Sequence, residues 1–143
     1  MPHCARLLLA AALAATSLFA QSTTIRFNGS GHSCGPDLQG AATTLTGVHR
    51  TTLTMTKGFR SEQALFVLGV QRVQLPIPFY GCEMFVIPLV PVVVPTDATG
   101  RALLVLDIPI TLVGRIETQA AAFRLVPNEL FASQLLTIEM QAR

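Results

Sequence analysis

The most apolar part of the chain lies between residues 80 and 109, and its pattern predicts a β-hairpin. A mostly apolar run follows Tyr80-Gly81-Cys82 and continues to Val94, and a second run extends from Arg101 to Pro109. The short segment from Pro95 to Gly100 separates them. Two apolar, β-branched runs joined by such a segment are typical of a hairpin with a loop longer than two residues. We expect the remaining strands to pack around this hairpin.

Three prolines, Pro88, Pro91 and Pro95, interrupt the first arm of the predicted hairpin. Proline has no backbone N–H, so within sheets it is confined to edge strands, strand ends and bulges. Part of this arm should therefore lie at a sheet edge or in a bulge. The run from Met84 to Val94 is too short and too broken to cross a bilayer, so we expect it to be buried core.

Other segments alternate between polar and apolar residues, which predicts half-buried antiparallel strands. In the segment 23–28, Ile25 and Phe27 should face inward, and in 50–56 Leu53 and Met55 should do so. Further strand candidates share short length and β-branched or apolar composition: 43–48, 62–70, 115–125 and 134–140. In the last of these, Leu136, Ile138 and Met140 should face inward, and Thr137 and Glu139 outward.

The connecting segments are rich in residues that break regular structure. Residues 28–37 predict a loop and 57–58 a turn, because Gly, Asn, Ser and Pro dominate them. Residues 75–78 read Leu-Pro-Ile-Pro and predict an extended crossover toward Cys82. Residues 108–114 predict a connection whose apolar side chains plug one end of the core.

These patterns together predict an all-β fold, an antiparallel β-sandwich of about seven to nine short strands, with a closed barrel as the alternative. No segment has the pattern of a long amphipathic helix. The chain has 143 residues, half of them hydrophobic, which suits one domain with a real core. We expect that domain to span residues 21–143.

The first twenty residues have the pattern of a secretory signal peptide. One arginine precedes an unbroken Leu/Ala run from Leu7 to Ala15, and the small residue Ala20 precedes Gln21. The run is too short for a transmembrane helix, so we expect cleavage after Ala20, the alternative being an uncleaved N-terminal anchor. The mature protein would then be secreted, or reside in the periplasm or cell envelope, without a transmembrane segment.

Cleavage would remove Cys4 and leave two cysteines, Cys34 and Cys82. An exported protein meets an oxidising compartment, and two cysteines permit one pairing. We expect a disulfide between them, with two free buried thiols as the alternative. The bond would close a ring of about 49 residues and stabilise the fold by about 4 kcal/mol through loss of chain entropy in the unfolded state.

The loop around Cys34 also matches a catalytic motif. Gly31-His32-Ser33-Cys34-Gly35 fits G-x-S-x-G, the nucleophile elbow of serine hydrolases. That motif requires a helix after the serine and an acid and a histidine further along, whereas here a proline and a Thr-rich strand follow. The downstream candidates, Asp37 and His49, are very close in sequence. We therefore interpret the loop as structural and expect no catalytic residue in it.

No cofactor or metal is expected. His32, Cys34 and His49 match no zinc spacing, and neither Asp37 nor Asp97 belongs to a calcium-loop pattern. Asp97 is better explained as a turn residue whose carboxylate accepts from nearby amides. Paired carboxylates for glycoside hydrolysis would have to come from seven residues that show no pairing signal: Glu62, Glu83, Asp97, Asp107, Glu117, Glu129 and Glu139.

The net charge of +2 and the absence of a basic cluster argue against nucleic acid as a partner. No motif specifies any other partner; a cell surface or a polysaccharide is the candidate class. Tyr80 could stack on a sugar, although a corner residue with its hydroxyl on the backbone is the simpler interpretation. Asn28-Gly29-Ser30 is an N-glycosylation sequon, which matters only in a eukaryotic secretory pathway.

One ordered set of residues resembles a known domain. The set is Gly81-Cys82-x-Met84, Thr96-Asp97-Ala98-x-Gly100-x-Ala102-x-Leu104, Ile108-Pro109, Leu112-x-Gly114, Gln119 and Ser133 before an apolar last strand. It resembles a recurrent C-terminal β-domain of uncharacterised secreted proteins from environmental Gram-negative bacteria. The resemblance covers roughly residues 81–140 and implies an exported domain with a cysteine in an upstream Gly-rich loop, which Cys34 matches. It implies no activity, ligand or catalytic residue, and the Pro/Val-rich run after Cys82 departs from it.

The sequence therefore favours an exported, non-enzymatic β-sandwich with a binding or envelope-structural role. A carbohydrate- or surface-binding module is the first alternative. A small secreted hydrolase, with Ser33 and His49 brought together in space, is the second.

Overall fold

The structure, a computed structural model, describes residues 22–78 and 80–143, and every regular element in these ranges is a β-strand. The expected signal peptide, residues 1–20, lies outside them. The strands in chain order are β1 (Thr23–Ser30), β2 (Asp37–Leu45), β3 (Val48–Thr56), β4 (Gln63–Gly69), β5 (Arg72–Ile77), β6 (Cys82–Val86), β7 (Val90–Pro95), β8 (Ala102–Pro109), β9 (Gly114–Arg124), β10 (Glu129–Ala132) and β11 (Leu135–Ala142). The predicted all-β class is confirmed, with eleven strands in place of seven to nine.

The strands form three antiparallel sheets. The largest has the order β1-β11-β9-β4-β7, with β10 on the far end of β9; the others are β2-β3-β8 and β5-β6. The first two sheets face each other as a sandwich, and the main core lies between them, with Phe66, Leu53, Met55 and Ile138 fully buried. The β5–β6 pair covers the opposite face of the six-stranded sheet over a smaller core of Phe85, Val86 and Leu135.

Strand β9 is buried on both faces, which explains its blurred sequence pattern. Side chains alternate between faces along a strand. Ala120 and Ala122 point into the main core, while Gln119 points the other way and bonds to β6: the Phe85 amide donates to its Oε1 at 2.9 Å, and its Nε2 donates to the Glu83 carbonyl at 2.8 Å. A strand covered on both sides cannot show a clean alternation of polar and apolar residues.

The predicted hairpin between the two apolar runs is wrong. The first run splits into β6 and β7, and β7 pairs with β4, whereas β8 pairs with β3 in the other sheet. Residues 48–69 and 90–109 instead form a two-stranded ribbon that bends from one sheet into the other. At the bend, the Gly58 amide donates to the Gly100 carbonyl at 2.9 Å and the Thr96 amide donates to the Glu62 carbonyl at 3.0 Å.

Gly100 is required at this bend for two reasons. Its φ of +78° lies in the left-handed region, which side chains disfavour, and a Cβ there would collide with the Gly58 backbone carbonyl. The bend at Gly58 and the bend at Gly100 therefore lie closer together than a residue other than glycine at position 100 would allow.

The expectation for the prolines of the first arm is confirmed, because β7 is the edge strand of the six-stranded sheet. The expectation that residues 84–94 are buried core holds for Phe85 and Val86, which are buried, and in part for Val92 and Val94, which are half-buried against the main core. Ile87, Leu89, Val90 and Val93 are exposed: Ile87 and Leu89 lie in the link between β6 and β7, and Val93 is on the face of β7 that points away from the core.

Three smaller expectations also fail. Residues 75–78 mostly belong to strand β5, paired with β6, rather than to a crossover. Leu112 and Val113 are exposed, so of the predicted plug only Ile108 is buried. Thr137 is buried rather than outward, because the β5–β6 layer covers its face of β11.

The expected inward residues of the other strands are confirmed. Leu53, Met55, Leu136, Ile138 and Met140 are buried. Ile25 and Phe27 pack against the same core, and the Phe27 ring fills the space that a side chain at Gly40 of β2 would need. This contact closes one side of the sandwich between β1 and β2.

The predicted Cys34–Cys82 disulfide is present, with Cα atoms 5.6 Å apart. Cys34 lies in the loop between β1 and β2, and its amide donates to the Ala132 carbonyl of β10 at 2.9 Å. Cys82 begins β6. The bond therefore joins the sandwich to the β5–β6 layer that covers its outer face.

Candidate functional site

The Gly31–Gly35 loop forms a tight turn around Ser33. The Ser33 hydroxyl donates to the Pro36 carbonyl and accepts from the Gly35 amide at 3.2 Å. Phe85 packs against Gly31, and the neighbouring Cys34 is held by the disulfide. The loop is followed by β2 rather than by a helix, so it does not have the architecture of a nucleophile elbow.

His49 is buried elsewhere, between β1 and the hairpin of β2 and β3. Its Nε2 lies 3.1 Å from Thr23 Oγ1, and its Nδ1 lies 3.0 Å from Thr44 Oγ1. The Thr23 hydroxyl gives its hydrogen to the Ile110 carbonyl at 2.8 Å, so Nε2 carries a hydrogen and donates to it. His49 thus ties strands together, and no hydrogen bond joins it to Ser33 in the part of the chain that the structure describes.

The residues considered as metal ligands do not come together. Cys34 is consumed by the disulfide, His32 is exposed, and Asp37 forms an ion pair with Lys57 at 2.6 Å. Over residues 22–78 and 80–143, no cluster of three or more His, Cys, Asp or Glu side chains occurs.

The carboxylates are also dispersed, and several have cationic or amide partners. Asp107 accepts two hydrogen bonds from Arg50, at 2.9 and 3.0 Å, which hold the pKa of Asp107 below its ordinary value. Glu129 pairs with Arg124, and Glu83 accepts from Gln74 at 3.0 Å. None of these interactions brings two carboxylates together as glycoside hydrolysis requires.

Asp97 has the predicted turn role. Its Oδ1 accepts from the Thr99 hydroxyl at 2.6 Å, the Thr99 amide at 2.8 Å and the Arg101 amide at 3.0 Å. These bonds, the Thr99 hydroxyl first, hold the pKa of Asp97 below its ordinary value of 3.8. The carboxylate fixes the turn that leads from β7 into β8.

Asp97→Asn should reduce stability at neutral pH by an amount that disappears on acidification. A carboxyl group whose pKa is lower in the folded state stabilises the fold above its unfolded pKa, and this contribution is lost as the pH falls through the folded pKa. Urea titrations of both proteins should give a constant difference at about pH 5 to 7 and a closing one below the ordinary value of 3.8. A difference that persists unchanged into acid would contradict this role.

A buried charge that the sequence did not reveal lies on the outer face of the six-stranded sheet. Glu117 of β9 is fully buried, and its Oε2 accepts from the Thr137 hydroxyl at 2.6 Å. Arg72 Nη2 lies 3.6 Å from Oε2, and Arg115 Nε lies 3.5 Å from Oε1. Arg72 also donates to Thr137 Oγ1 at 3.0 Å. The sequence feature that could have revealed this buried charge is the triplet Glu117-Thr118-Gln119 within the mostly apolar β9. Polar residues in such a strand indicate that its second face is also covered and makes polar contacts there.

An apolar groove opens where the two edge strands β7 and β8 face each other. It has a volume of about 400 Å³, and its lining includes Leu68, Val92, Leu106, Ile108, Leu112 and Ile116. The charged residue in the lining is Asp107, whose carboxylate is occupied by Arg50. A pocket of this size with mostly apolar walls is typical of small-ligand sites. The sequence did not predict it, because it forms between strands of different sheets.

Tyr80 and Asn28 show no assembled site. Tyr80 is half-buried, and its hydroxyl makes no hydrogen bond within the described residues, so the expected backbone partner is not observed. Asn28 is exposed on β1. Stacking of a sugar on Tyr80 stays a prediction.

The strands β1–β11, two facing sheets, a covering hairpin and one disulfide define an all-β sandwich with an apolar groove at its open side. No helix in the described ranges is long and apolar enough to cross a membrane. Neither a protein-family model, nor a curated protein, nor a solved structure matches the chain.

Proposed function

We propose that the mature chain is an exported, non-enzymatic binding domain whose groove between β7 and β8 holds a neutral, apolar ligand such as an aliphatic chain. The groove itself is the observation that carries this proposal. Burying each methylene of such a chain is worth about 0.8 kcal/mol, so a ligand that fills the groove can bind through apolar contact alone.

The character of the walls supports a neutral ligand. The Asp107 carboxylate is paired with Arg50 through both oxygens, so this charged residue of the lining offers a ligand no unpaired charge. Leu106 and Ile108 line the groove from β8, and Val92 lines it from β7. A charged ligand would lose its hydration on entry without gaining a partner, and this costs free energy.

Export is supported by two features. The Leu/Ala run of residues 7–15 followed by Ala20 has the pattern of a cleaved signal peptide, and the Cys34–Cys82 bond suits an oxidising compartment. The resemblance of residues 81–140 to a recurrent secreted β-domain agrees with both. A secreted, periplasmic or cell-envelope location follows from this proposal.

The groove is tested with the mature, oxidised protein and an uncharged fluorescent probe, N-phenyl-1-naphthylamine, displaced by a long-chain alcohol. Leu112→Glu places a charge on the groove wall, and we expect probe affinity to fall about ten-fold or more, because the charge must be desolvated when the probe binds. Val113→Glu is the matched control, since Val113 is adjacent, is exposed and lies outside the groove lining.

Saturable binding that Leu112→Glu weakens and Val113→Glu leaves intact is the expected result. Absence of saturable binding by the wild-type protein would contradict the proposal. Equal loss in both variants would do the same, because it would place the probe outside the groove.

A further inference from the structure

The edge strands β7 and β8 flank the same groove but differ in how their open edges are protected. An edge strand presents unpaired N–H and C=O groups that can pair with another strand. Which residues point outward follows from hydrogen bonding, because in an antiparallel ladder every second residue bonds to the neighbouring strand.

The edge of β7 is blocked by prolines. The Thr96 amide donates to the carbonyl of Glu62, the residue directly before β4. Because every second residue of an antiparallel ladder bonds to the same neighbour, Val94, Val92 and Val90 also bond toward β4. The outward positions are therefore 91, 93 and 95. Two of the three are Pro91 and Pro95, which have no N–H to offer, and so β7 is a poor template for another strand.

The edge of β8 has no such protection. The Ile110 amide donates to the Gly47 carbonyl at 3.2 Å, so the even-numbered residues of β8 bond toward β3. The N–H and C=O groups of Leu103, Val105 and Asp107 point outward, and no proline occurs in β8 before Pro109. The side chains at these three positions are exposed.

The opposite edge of the same sheet is partly satisfied from within the chain. At β2, the Leu38 amide donates to Gln134 Oε1 at 3.3 Å, and Gln134 Nε2 donates to the Leu38 carbonyl at 2.8 Å. Of these three edges, β8 has free backbone groups at three successive outward positions beside exposed apolar side chains, Leu103 at 45% and Val105 at 54%, whereas β7 has only Val93 between two prolines.

We propose that β8 pairs antiparallel with β8 of a second copy of this chain, around a twofold axis that passes beside Leu104. In this register Leu103 lies opposite Val105 of the second copy, and each pair can exchange two backbone hydrogen bonds. The twofold axis generates the pair twice, so the two three-stranded sheets become one six-stranded sheet.

The charges at the ends of β8 favour a second copy over an unrelated strand. In the same register Arg101 of each copy faces Asp107 of the other, on the exposed face that carries Leu103 and Val105. There it joins Arg50 at the carboxylate, whose two oxygens each keep a further lone pair to accept a hydrogen bond. Opposite charges directly across an antiparallel pair stabilise it, and the apolar pairs between them remove exposed surface from water. A strand of another protein would need the same palindromic order of charges. This inference does not rest on the groove's ligand, although Asp107 belongs both to the groove lining and to the paired edge.

Sedimentation velocity of the mature, oxidised protein tests the proposal from about 1 to 500 µM, a range that resolves dimers of weak to moderate affinity. The average mass of the sedimenting wild-type protein should rise from that of a monomer to that of a dimer across this concentration range. Val105→Pro removes the outward N–H without touching the β3 ladder, and Val105→Lys puts two ammonium groups near the axis. Each should weaken the dimer about ten-fold or more. Val93→Lys on β7, where Val93 is 57% exposed, is the matched control and should still dimerise.

Two further measurements keep the result specific. Arg101→Glu should weaken the dimer more at low than at high salt, because it replaces an attraction by a repulsion that salt screens. Hydrogen exchange at the amides of Leu103 and Val105 should slow as protein concentration rises. Circular dichroism confirms that each variant is folded.

A folded wild-type protein that stays monomeric at the highest concentration would overturn the proposal. A dimer that survives Val105→Lys, or one that Val93→Lys abolishes, would place the interface elsewhere. Assembly beyond the dimer would show that the edge is not closed by a twofold axis.

Discussion

Replacing Cys34 by Ala should lower the free energy of unfolding by about 4 kcal/mol, one of the two largest effects expected from a single change in this chain. The disulfide joins cysteines 48 positions apart, so its loss restores a large conformational freedom to the unfolded chain. It also frees the start of β6, and with it the β5–β6 layer that covers Glu117 and Gln119. Urea unfolding should show both a lower midpoint and a larger dependence on urea, since the unfolded chain becomes less compact.

The comparison of single and double variants makes this result specific to the bond. Cys82→Ala should cost a similar amount, with a small addition because Cys82 is buried. The double variant Cys34→Ala/Cys82→Ala should be about as stable as the less stable single variant, because the bond can be lost only once. Additive losses would contradict a disulfide contribution. The proposal of export further predicts that the intact mass of the wild-type protein corresponds to residues 21–143 less two hydrogens.

Local pattern was sufficient to predict most strands and their inward faces. Leu53 and Met55 of β3 and Ile138 and Met140 of β11 alternate with polar residues, and burial on one face follows from that period. The Asp97 turn and the disulfide were also predictable from the sequence. A carboxylate beside Thr99 and Gly100 caps a turn through neighbouring atoms, and two cysteines permit one pairing.

Choice of strand partner was not predictable from local pattern. The segment from Pro95 to Gly100 does not connect two paired strands of one sheet. It carries the chain from β7 in one sheet to β8 in the other. The contacts that decide this are between distant residues, such as Gly58 with Gly100 and Thr96 with Glu62. A loop of six residues that ends in Gly fits a hairpin and a sheet-to-sheet bend equally well.

The apolar groove and the buried Glu117 were missed because both depend on layers that only the folded chain brings together. The groove lies between β7 and β8, which are neighbours in sequence but belong to different sheets. Glu117 is buried by β5 and β6, which lie far from it in sequence. A strand with no clean alternation was the available signal, and it indicates two covered faces without showing what covers them.

Removal of the Arg72 guanidinium should destabilise the protein more than neutralisation of the carboxylate it faces. Glu117 is completely buried, whereas Arg72 is half exposed, at 50%. Arg72→Met keeps the apolar stem but leaves the buried carboxylate with Thr137 and only one guanidinium, that of Arg115, and we expect a loss of about 2 to 4 kcal/mol. Glu117→Gln keeps an acceptor for the Thr137 hydroxyl and leaves two arginines that water can solvate, so it should cost about 1 to 2 kcal/mol.

The double variant Arg72→Met/Glu117→Gln decides between an electrostatic and a packing explanation. If the cost of Arg72→Met comes from an uncompensated buried charge, removing that charge should recover part of the lost stability, and the double variant should be more stable than Arg72→Met alone. If the cost comes from lost packing of the arginine, the two losses should add. Arg60→Met, at an exposed loop position, is the control and should lie within about 0.5 kcal/mol of wild type. Urea unfolding at pH 7 measures all four variants, and recovery in the double variant identifies Glu117 as the charge that Arg72 compensates between the β5–β6 layer and the sandwich.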